Sequence, residues 1–209
     1  MSNEFLTVAG ECEITNVIER SKFICNIKGI ENEEQAKEYL EILRKRHSLA
    51  THSCYAYIAD EKGLVQKFSD AGEPQGTAGI PILEVLKNRH IFKVVAVVTR
   101  YFGGIKLGAG GLVRAYGGAV ADCLNVAKIA NMCQATLFEC VLNYDGYSKL
   151  LRLLENAKIA VLNTKFENDI KVILAVKDDY CEIFNKKLLD LFNGKVSVGA
   201  TGKGYYNFR

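Results

Sequence analysis

The sequence predicts an α+β protein of two domains, and three observations carry that reading. Segments of helical apolar period alternate with short runs of strand period along all 209 residues, which excludes an all-helical or all-strand chain. From Asn131 onward the order is strand, helix, strand, strand, helix, strand, the βαββαβ arrangement of a ferredoxin-like unit. Ahead of it a buried-strand run, Val94-Val95-Ala96-Val97-Val98, feeds a glycine-rich turn and then a helix, as part of a larger first unit. The domains are expected at 1–130 and 131–209, joined by a short link at Lys128-Ile129-Ala130-Asn131.

In chain order, Glu11 to Ile30 alternates apolar and polar residues in two runs around Glu19-Arg20-Ser21, the pattern of a strand pair. Glu31 to Ser48 is an amphipathic helix, because Ala36, Tyr39, Leu40 and Leu43 recur at helical spacing. Its acids come first (Glu31, Glu33, Glu34) and its bases last (Arg44, Lys45, Arg46, His47), in line with the helix dipole. His52 to Ala59 and Leu64 to Phe68 read as strands about the turn Asp60-Glu61-Lys62-Gly63. The first half of Ser69 to Leu86 is all turn formers; Thr77 is the expected cap of the helix that follows, with Pro81 in its first turn. Phe92 to Thr99 is the next strand, and a helix is expected from Leu112 to about Val126. In the second domain the strands are Gln134–Leu142, Ile159–Phe166, Asp169–Val176 and Lys195–Gly204. The helices are Gly146–Asn156 and Asp179–Phe192, and Glu167-Asn168-Asp169 is a hairpin turn.

Composition narrows the class. With 49% apolar and 24% charged residues, the chain has material for real cores and an ordinary soluble surface. A net charge of +3 is too mild to argue for nucleic acid by itself. The seven cysteines are scattered with no C-x-x-C pair, and the three histidines are not spaced for zinc. They read as reduced thiols, and neither metal nor cofactor is expected. The opening MSNEFLTVAGECE lacks the basic and apolar regions of a signal peptide, and no apolar run approaches the roughly 18 residues of a membrane span. A soluble, cytoplasmic protein without membrane contact is expected.

The sharpest feature is local. Val85 to Ala121 contains no acid, yet it carries Lys87, Arg89, Lys93, Arg100, Lys106 and Arg114, and seven glycines lie between Gly103 and Gly118. Strand, glycine turn and helix start with flanking cations is how a chain builds an anion site, because the first amides of a helix lack internal partners. Strict nucleotide fingerprints fail: Gly103 to Gly108 is followed by Ala109 where a P-loop needs Lys, and the dinucleotide pattern from Gly108 breaks at Val113. The glycines have two readings that sequence leaves open, close packing of a helix on a sheet or approach of backbone to an anion. Tyr101, Phe102 and Tyr116 interleave with the cations as they do on RNA-backbone surfaces with stacking rings. The candidate nucleic-acid or anion set is Arg100, Tyr101, Phe102, Gly103, Gly104, Lys106, Gly108, Gly110, Gly111 and Arg114.

A second polar cluster is His52, Asp70, Glu73 and Thr77. A histidine at a strand start and two carboxylates in a turn fit acid–base work. The plainer alternative makes Asp70 a turn or cap residue and Glu73 a solvated charge before Pro74. No nucleophile or metal spacing completes a mechanism, so no residue is assigned as catalytic.

At these residues the chain resembles a known family. Ser69-Asp70-Ala71-Gly72-Glu73-Pro74-Gln75-Gly76-Thr77-Ala78-Gly79 and Val98-Thr99-Arg100-Tyr101-Phe102-Gly103-Gly104-Ile105-Lys106-Leu107-Gly108 look like the two signature blocks of the IMPACT/YigZ family. Ser21-Lys22-Phe23-Ile24 and His52-Ser53-Cys54-Tyr55-Ala56-Tyr57 resemble its other recurrent segments. The resemblance covers essentially the whole chain. One departure is Ala71, where the family reads a second acid, S-D-D-G-E-P; this weakens any paired-carboxylate catalyst or metal site. The resemblance implies that the first domain is similar to the fold shared by elongation factor G domain IV and a small-subunit ribosomal protein. The tail resembles the ferredoxin-like domain V of that factor. It also implies kinship with eukaryotic proteins that regulate translation under amino-acid starvation by binding a ribosome-associated activator of a stress kinase. Fold analogy alone does not establish function.

Three functions compete. The leading one is a non-enzymatic RNA- or ribosome-associated factor in translation or stress control, with Arg100, Lys106 and Arg114 on phosphates and Tyr101 or Phe102 stacking. The second is a protein–protein adaptor in translation control, which needs an exposed apolar patch with an aromatic or Arg anchor. The third is a phosphate-ligand enzyme; some small-molecule kinases share this general fold, but they place Ser after the glycines, where this chain has Leu112, Val113 and Arg114.

Overall fold

A computed structural model describes residues 4–193 and 196–208. It divides the chain into two compact units, one of residues Phe5–Ala130 and one from Asn131 onward that includes Glu4. Each is α+β.

The first contains β1 (Glu4–Val8), β2 (Glu11–Ile18), β3 (Ser21–Gly29), α1 (Glu33–Arg46), β4 (His52–Ile58), β5 (Gln66–Ser69), α2 (Gly79–Asn88), β6 (Val94–Tyr101) and α3 (Gly108–Val126). Its sheet has the order β2-β3-β6-β4-β5, antiparallel at every pairing. The inner strands β3, β6 and β4 are covered on both faces, which is why β6 reads as a continuous apolar run and not as an alternating one. The period of two decides which neighbour each residue meets. On one face Tyr55, Tyr57, Val95 and Val97 pack against Ala36, Tyr39, Leu40 and Leu43 of α1. On the other, Phe23, Cys25, Ala56, Ala96 and Val98 pack against Ile82 and Leu86 of α2 and Tyr116, Val120 and Cys123 of α3.

This arrangement has an unusual consequence. The connections β3–α1–β4 and β5–α2–β6 each join parallel strands across one antiparallel neighbour. They cross the sheet in opposite directions along oppositely directed strands, so two connections of equal hand would put α1 and α2 on one face. The helices lie on opposite faces, and one crossover must therefore be left-handed, against the strong right-handed preference of such units.

Several local expectations shift. Sequence reading misses β1, whose Phe5 and Val8 are buried and whose Leu6 carbonyl accepts from the Phe92 N–H at 2.8 Å; five residues are too few for a period to show. α1 is capped by Asn32, whose side chain accepts from the Gln35 N–H at 3.0 Å. α3 starts at Gly108 and not at Leu112, so Gly108, Gly110 and Gly111 belong to its first turn. Glycine's poor helix propensity hid that turn, and packing of Leu112, Ala115 and Tyr116 overrides the propensity. Glu19 and Arg20 both have left-handed backbones, φ 44° and 63°, the geometry of a tight two-residue hairpin that usually takes Asn-Gly.

The second unit contains β7 (Ile129–Leu142), α4 (Tyr144–Leu154), β8 (Ile159–Phe166), β9 (Ile170–Lys177), α5 (Cys181–Phe192) and β10 (Ser197–Asn207), with a 3-10 turn at Asp178–Tyr180 before α5. Strands β10, β7, β9 and β8 lie side by side in that order, all antiparallel. In unit numbering this is 4-1-3-2, the ferredoxin-like arrangement. Phe138, Leu150, Ile170, Leu174, Phe184 and Leu188 form its core. Ile129, Ala130 and Asn131, read above as link, are already strand in β7. Lys195, the expected start of the last strand, lies outside the described residues.

The glycines separate by mechanism. A Cβ on Gly103 would run into the backbone carbonyl of Arg20, whereas one on Gly118 meets nothing within 4 Å. Gly103→Ala is expected to destabilise the protein by about 3 kcal/mol or more through forced backbone movement. Gly118→Ala, in mid-helix, is expected to stabilise it by about 0.5–1 kcal/mol. Urea midpoints of the two variants check both signs.

Candidate functional site

The site grows from the end of β6. Strand alternation puts Arg100 on the α2/α3 face beside Val98, directly across from Phe23 on β3 and His52 on β4. Its guanidinium is buried and makes a 2.7 Å ion pair from Nη1 to Glu73 Oε1, while Nη2 donates to Ser21 Oγ at 3.3 Å. Tyr116 of α3 donates its hydroxyl to the same Glu73 oxygen at 2.8 Å and sets its ring edge-on to Phe23, with centroids 5.3 Å apart. Burial, with Cys54 and Glu73 beside it, pushes the Tyr116 phenol well above its ordinary pKa, so it remains a donor. Burial likewise pushes the neighbouring Cys54 thiol up to about 12, which leaves it protonated and a poor nucleophile.

Glu73 reaches this position through the loop 70–79, and Asp70 shapes that loop. Asp70 Oδ2 accepts from the Gly76 N–H at 2.9 Å, and Oδ1 accepts from Ala78 and Gly79 at 3.0 and 2.8 Å. Asp70 therefore caps α2 from outside the helix. Thr77 does not: its hydroxyl donates to the Pro74 carbonyl at 2.6 Å and closes the turn. Burial raises the Asp70 carboxyl, but the three backbone donors outweigh it and hold its pKa below the ordinary aspartate value. Ala71 has φ 46°, a left-handed backbone that penalises alanine and suits Asp or Asn. Its carbonyl accepts from His52 Nδ1 at 3.0 Å, which leaves His52 Nε2 directed toward Glu73 Oε2 at 3.9 Å.

The structure splits the sequence-derived set. Arg100 is withdrawn into the Glu73 cluster and is 5% exposed, so it presents no surface cation. Tyr101 lies on the other sheet face, its hydroxyl 3.1 Å from His47 Nδ1. Tyr116 is fully buried and is not a stacking ring. Glu73 is a buried, paired carboxylate and not a solvated charge.

Lys106 and Arg114 remain exposed and make no ion pair among the described residues. They flank a helix start that has no side-chain cap and no acid in its first turn. Arg114 folds back toward it, Nη1 lying 3.6 Å from where a Gly110 Cβ would be. Gly104 and Gly108 adopt φ 89° and 68°, which carries the chain around the loop with their surfaces open. Gly103 donates to Ser21 Oγ at 3.2 Å and packs on the Arg20 backbone. It thereby brings exposed Arg20 to the loop, while Lys22, paired with Tyr101, takes the other sheet face. Sequence reading missed Arg20, because only the close Gly103 contact brings together segments so far apart in the chain.

Between these groups opens a cleft of about 440 Å³, lined by Thr51, His52, Glu73, Pro74, Arg100, Phe102, Lys106, Leu107, Gly108, Ala109 and Leu112. Phe102 forms part of its mouth, 46% exposed, with its ring 5.3 Å from the Arg100 guanidinium carbon. Among the described residues no cluster of His, Cys, Asp and Glu is placed to hold a metal ion, all seven cysteines are free thiols, and no helix is long and apolar enough to cross a membrane.

A buried Glu–Arg pair beneath an open glycine-flanked helix start, on an antiparallel sheet joined to a ferredoxin-like unit, defines a two-domain protein with a built cleft. Residues 19–124, which hold this entire site, match the Impact N-terminal domain, and residues 140–195 match a domain of unknown function, DUF1949. The chain is 38% identical to the IMPACT family member YvyE of Bacillus subtilis (strain 168), over 95% of this chain and 91% of that one. It is 32% identical to the IMPACT family member YigZ of Escherichia coli (strain K12), over 93% and 96%. A crystal structure of a hypothetical protein superposes with a TM-score of 0.64 at 30% identity, covering 97% of this chain and 99% of that one. The chain belongs to the IMPACT family.

Two expectations follow for the loop. Because the folded pKa of Asp70 is depressed, its contribution is complete above the ordinary value of 3.8 and is lost as pH falls through the folded value. Asp70→Asn is therefore expected to cost about 1 kcal/mol near neutrality, with the difference from wild type closing in strong acid; urea titrations across pH check this. Ala71→Asn is expected to raise stability by about 0.5–1 kcal/mol by relieving the left-handed alanine, read as a higher urea midpoint.

Proposed function

We propose that this protein is an RNA- or ribosome-associated factor of translation or stress control that acts by binding and not by bond-making. The observation that carries the reading is the start of α3. Its first amides have no side-chain cap, and unpaired Lys106 and Arg114 stand beside them where the helix dipole disfavours cations. In α1 the same chain does the opposite, with Asn32 capping, Glu33 and Glu34 first and Arg44, Lys45 and Arg46 last. An unoccupied positive end is relieved by phosphate. Phe102, exposed at the mouth of the cleft, supplies a ring for a base. Arg100 does not contact phosphate in this reading; it holds the floor.

The adaptor reading rests on a different surface. In the second unit β8 is an edge strand that exposes Val161, Leu162 and Phe166, and apolar groups on a strand edge fit a protein partner.

The test is binding of the purified full chain to ribosomes and to single-stranded RNA over a salt series. A paired Lys106→Ala, Arg114→Ala variant leaves the buried pair intact. Wild-type affinity is expected to fall with salt, and the variant's slope to be smaller by about 1.4, at about 0.7 for each cation. Absence of RNA and ribosome binding overturns the reading.

A further inference from the structure

We infer that the cleft beneath α3 is a nucleotide pocket that selects bases bearing an exocyclic amino group, namely adenine, cytosine and guanine. The inference rests on the RNA reading above and deepens it by naming what enters the site.

The cleft has two ends of different chemistry. At the mouth lie Lys106 and the exposed Gly108 and Ala109 at the uncapped start of α3, a place for one phosphate. The walls are flat and apolar, from Phe102, Leu107, Leu112 and Pro74, which suits an aromatic ring and excludes a second charged group. The floor is polar and incompletely satisfied. Glu73 is buried, and Arg100 and Tyr116 both bond to its Oε1. Among the described residues Oε2 makes no hydrogen bond, and His52 Nε2 lies 3.9 Å from it. Arg100 Nε is buried without a partner. A buried donor left this way is rare in folded proteins and asks for a ligand.

The floor's hydrogen-bond polarity can be read. The Ala71 carbonyl only accepts, so His52 Nδ1, 3.0 Å away, carries the proton. With its single proton on Nδ1, the imidazole presents Nε2 as an acceptor beside the acceptor Oε2. Two acceptors 3.9 Å apart match an amino group, which has one proton for each. A carbonyl at the same place meets two acceptors and is rejected. Because Glu73 is already neutralised by Arg100, the floor carries no net charge that would call for a cation, so a neutral aminated ring is the better match than an ammonium. Uracil, with carbonyls on both sides of its imide N–H, is the base this floor disfavours.

The chemical change is made on the ligand, so that no variant has to fold around a broken ion pair. Fluorescence anisotropy of the full chain is measured with labelled oligo(A), with the same oligomer built from purine riboside (which lacks the amino group), and with oligo(U), and calorimetry is run with AMP and inosine monophosphate. Oligo(A) is expected to bind about tenfold tighter than either control, and AMP tighter than inosine monophosphate, with Phe102→Ala reducing the preference. Equal, salt-sensitive affinity for all oligomers, with no difference between AMP and inosine monophosphate, overturns the pocket and leaves the RNA reading standing. Binding of AMP over inosine monophosphate without binding of any oligomer supports the pocket and overturns the RNA reading. Binding of nothing overturns both.

Discussion

The ion pair between Glu73 and Arg100 is the interaction on which the rest of this site depends. Burying two charges is expensive, and the attraction between them compensates only when the remaining hydrogen-bond capacity is satisfied. Here Tyr116 and Ser21 supply much of that capacity. The pair binds the loop after β5, the end of β6, the start of β3 and the first turns of α3, segments separated by 27 to 79 residues. Loss of one partner leaves a buried charge unpaired, at a penalty of about 3–5 kcal/mol. The cleft, the direction of α3 and the accessibility of its first amides are consequences of where this pair sits.

The two helices on that face are treated in opposite ways at their starts. α2 begins against Asp70, whose two oxygens take up three backbone N–H groups; its positive end is neutralised within the fold. α3 begins after Leu107 with no cap, no acid and a cation folded over it. A few tenths to 1 kcal/mol of helix stability is forgone at such an end. That asymmetry sets a capped terminus beside an uncapped one on neighbouring helices of one domain.

The signature blocks also divide by physical role. Asp70 caps, Gly72 lies close to the His52 ring, Gly79 allows the chain to pass the Ser69 backbone, and Gly103 allows it to pass Arg20. Position 71, where this chain has Ala in place of the family's acid, is a left-handed turn residue with its carbonyl on His52. An aspartate suits that backbone conformation, and the cleft does not include position 71 among its lining residues.

Much of this was legible in the residues. Periodicity located both units and nearly every element, because apolar spacing follows directly from which face is buried. Glycine density and the missing acids singled out the segment that holds the uncapped start of α3. What escaped was set by long-range contact. Arg100, Lys106 and Arg114 look alike as cations in sequence, yet strand alternation turns Arg100 inward to Glu73 while the loop leaves the other two in solvent. Tyr101 and Phe102 are adjacent but fall on different sides of the sheet, so only Phe102 reaches the cleft. Glu73 reads as an ordinary turn acid until the fold supplies its partners. Local composition determined that cations and glycines concentrate between Arg100 and Arg114. Only the tertiary structure decided which of those charges stay in solvent, because a charge's role depends on whether the chain brings it a partner or leaves it to water.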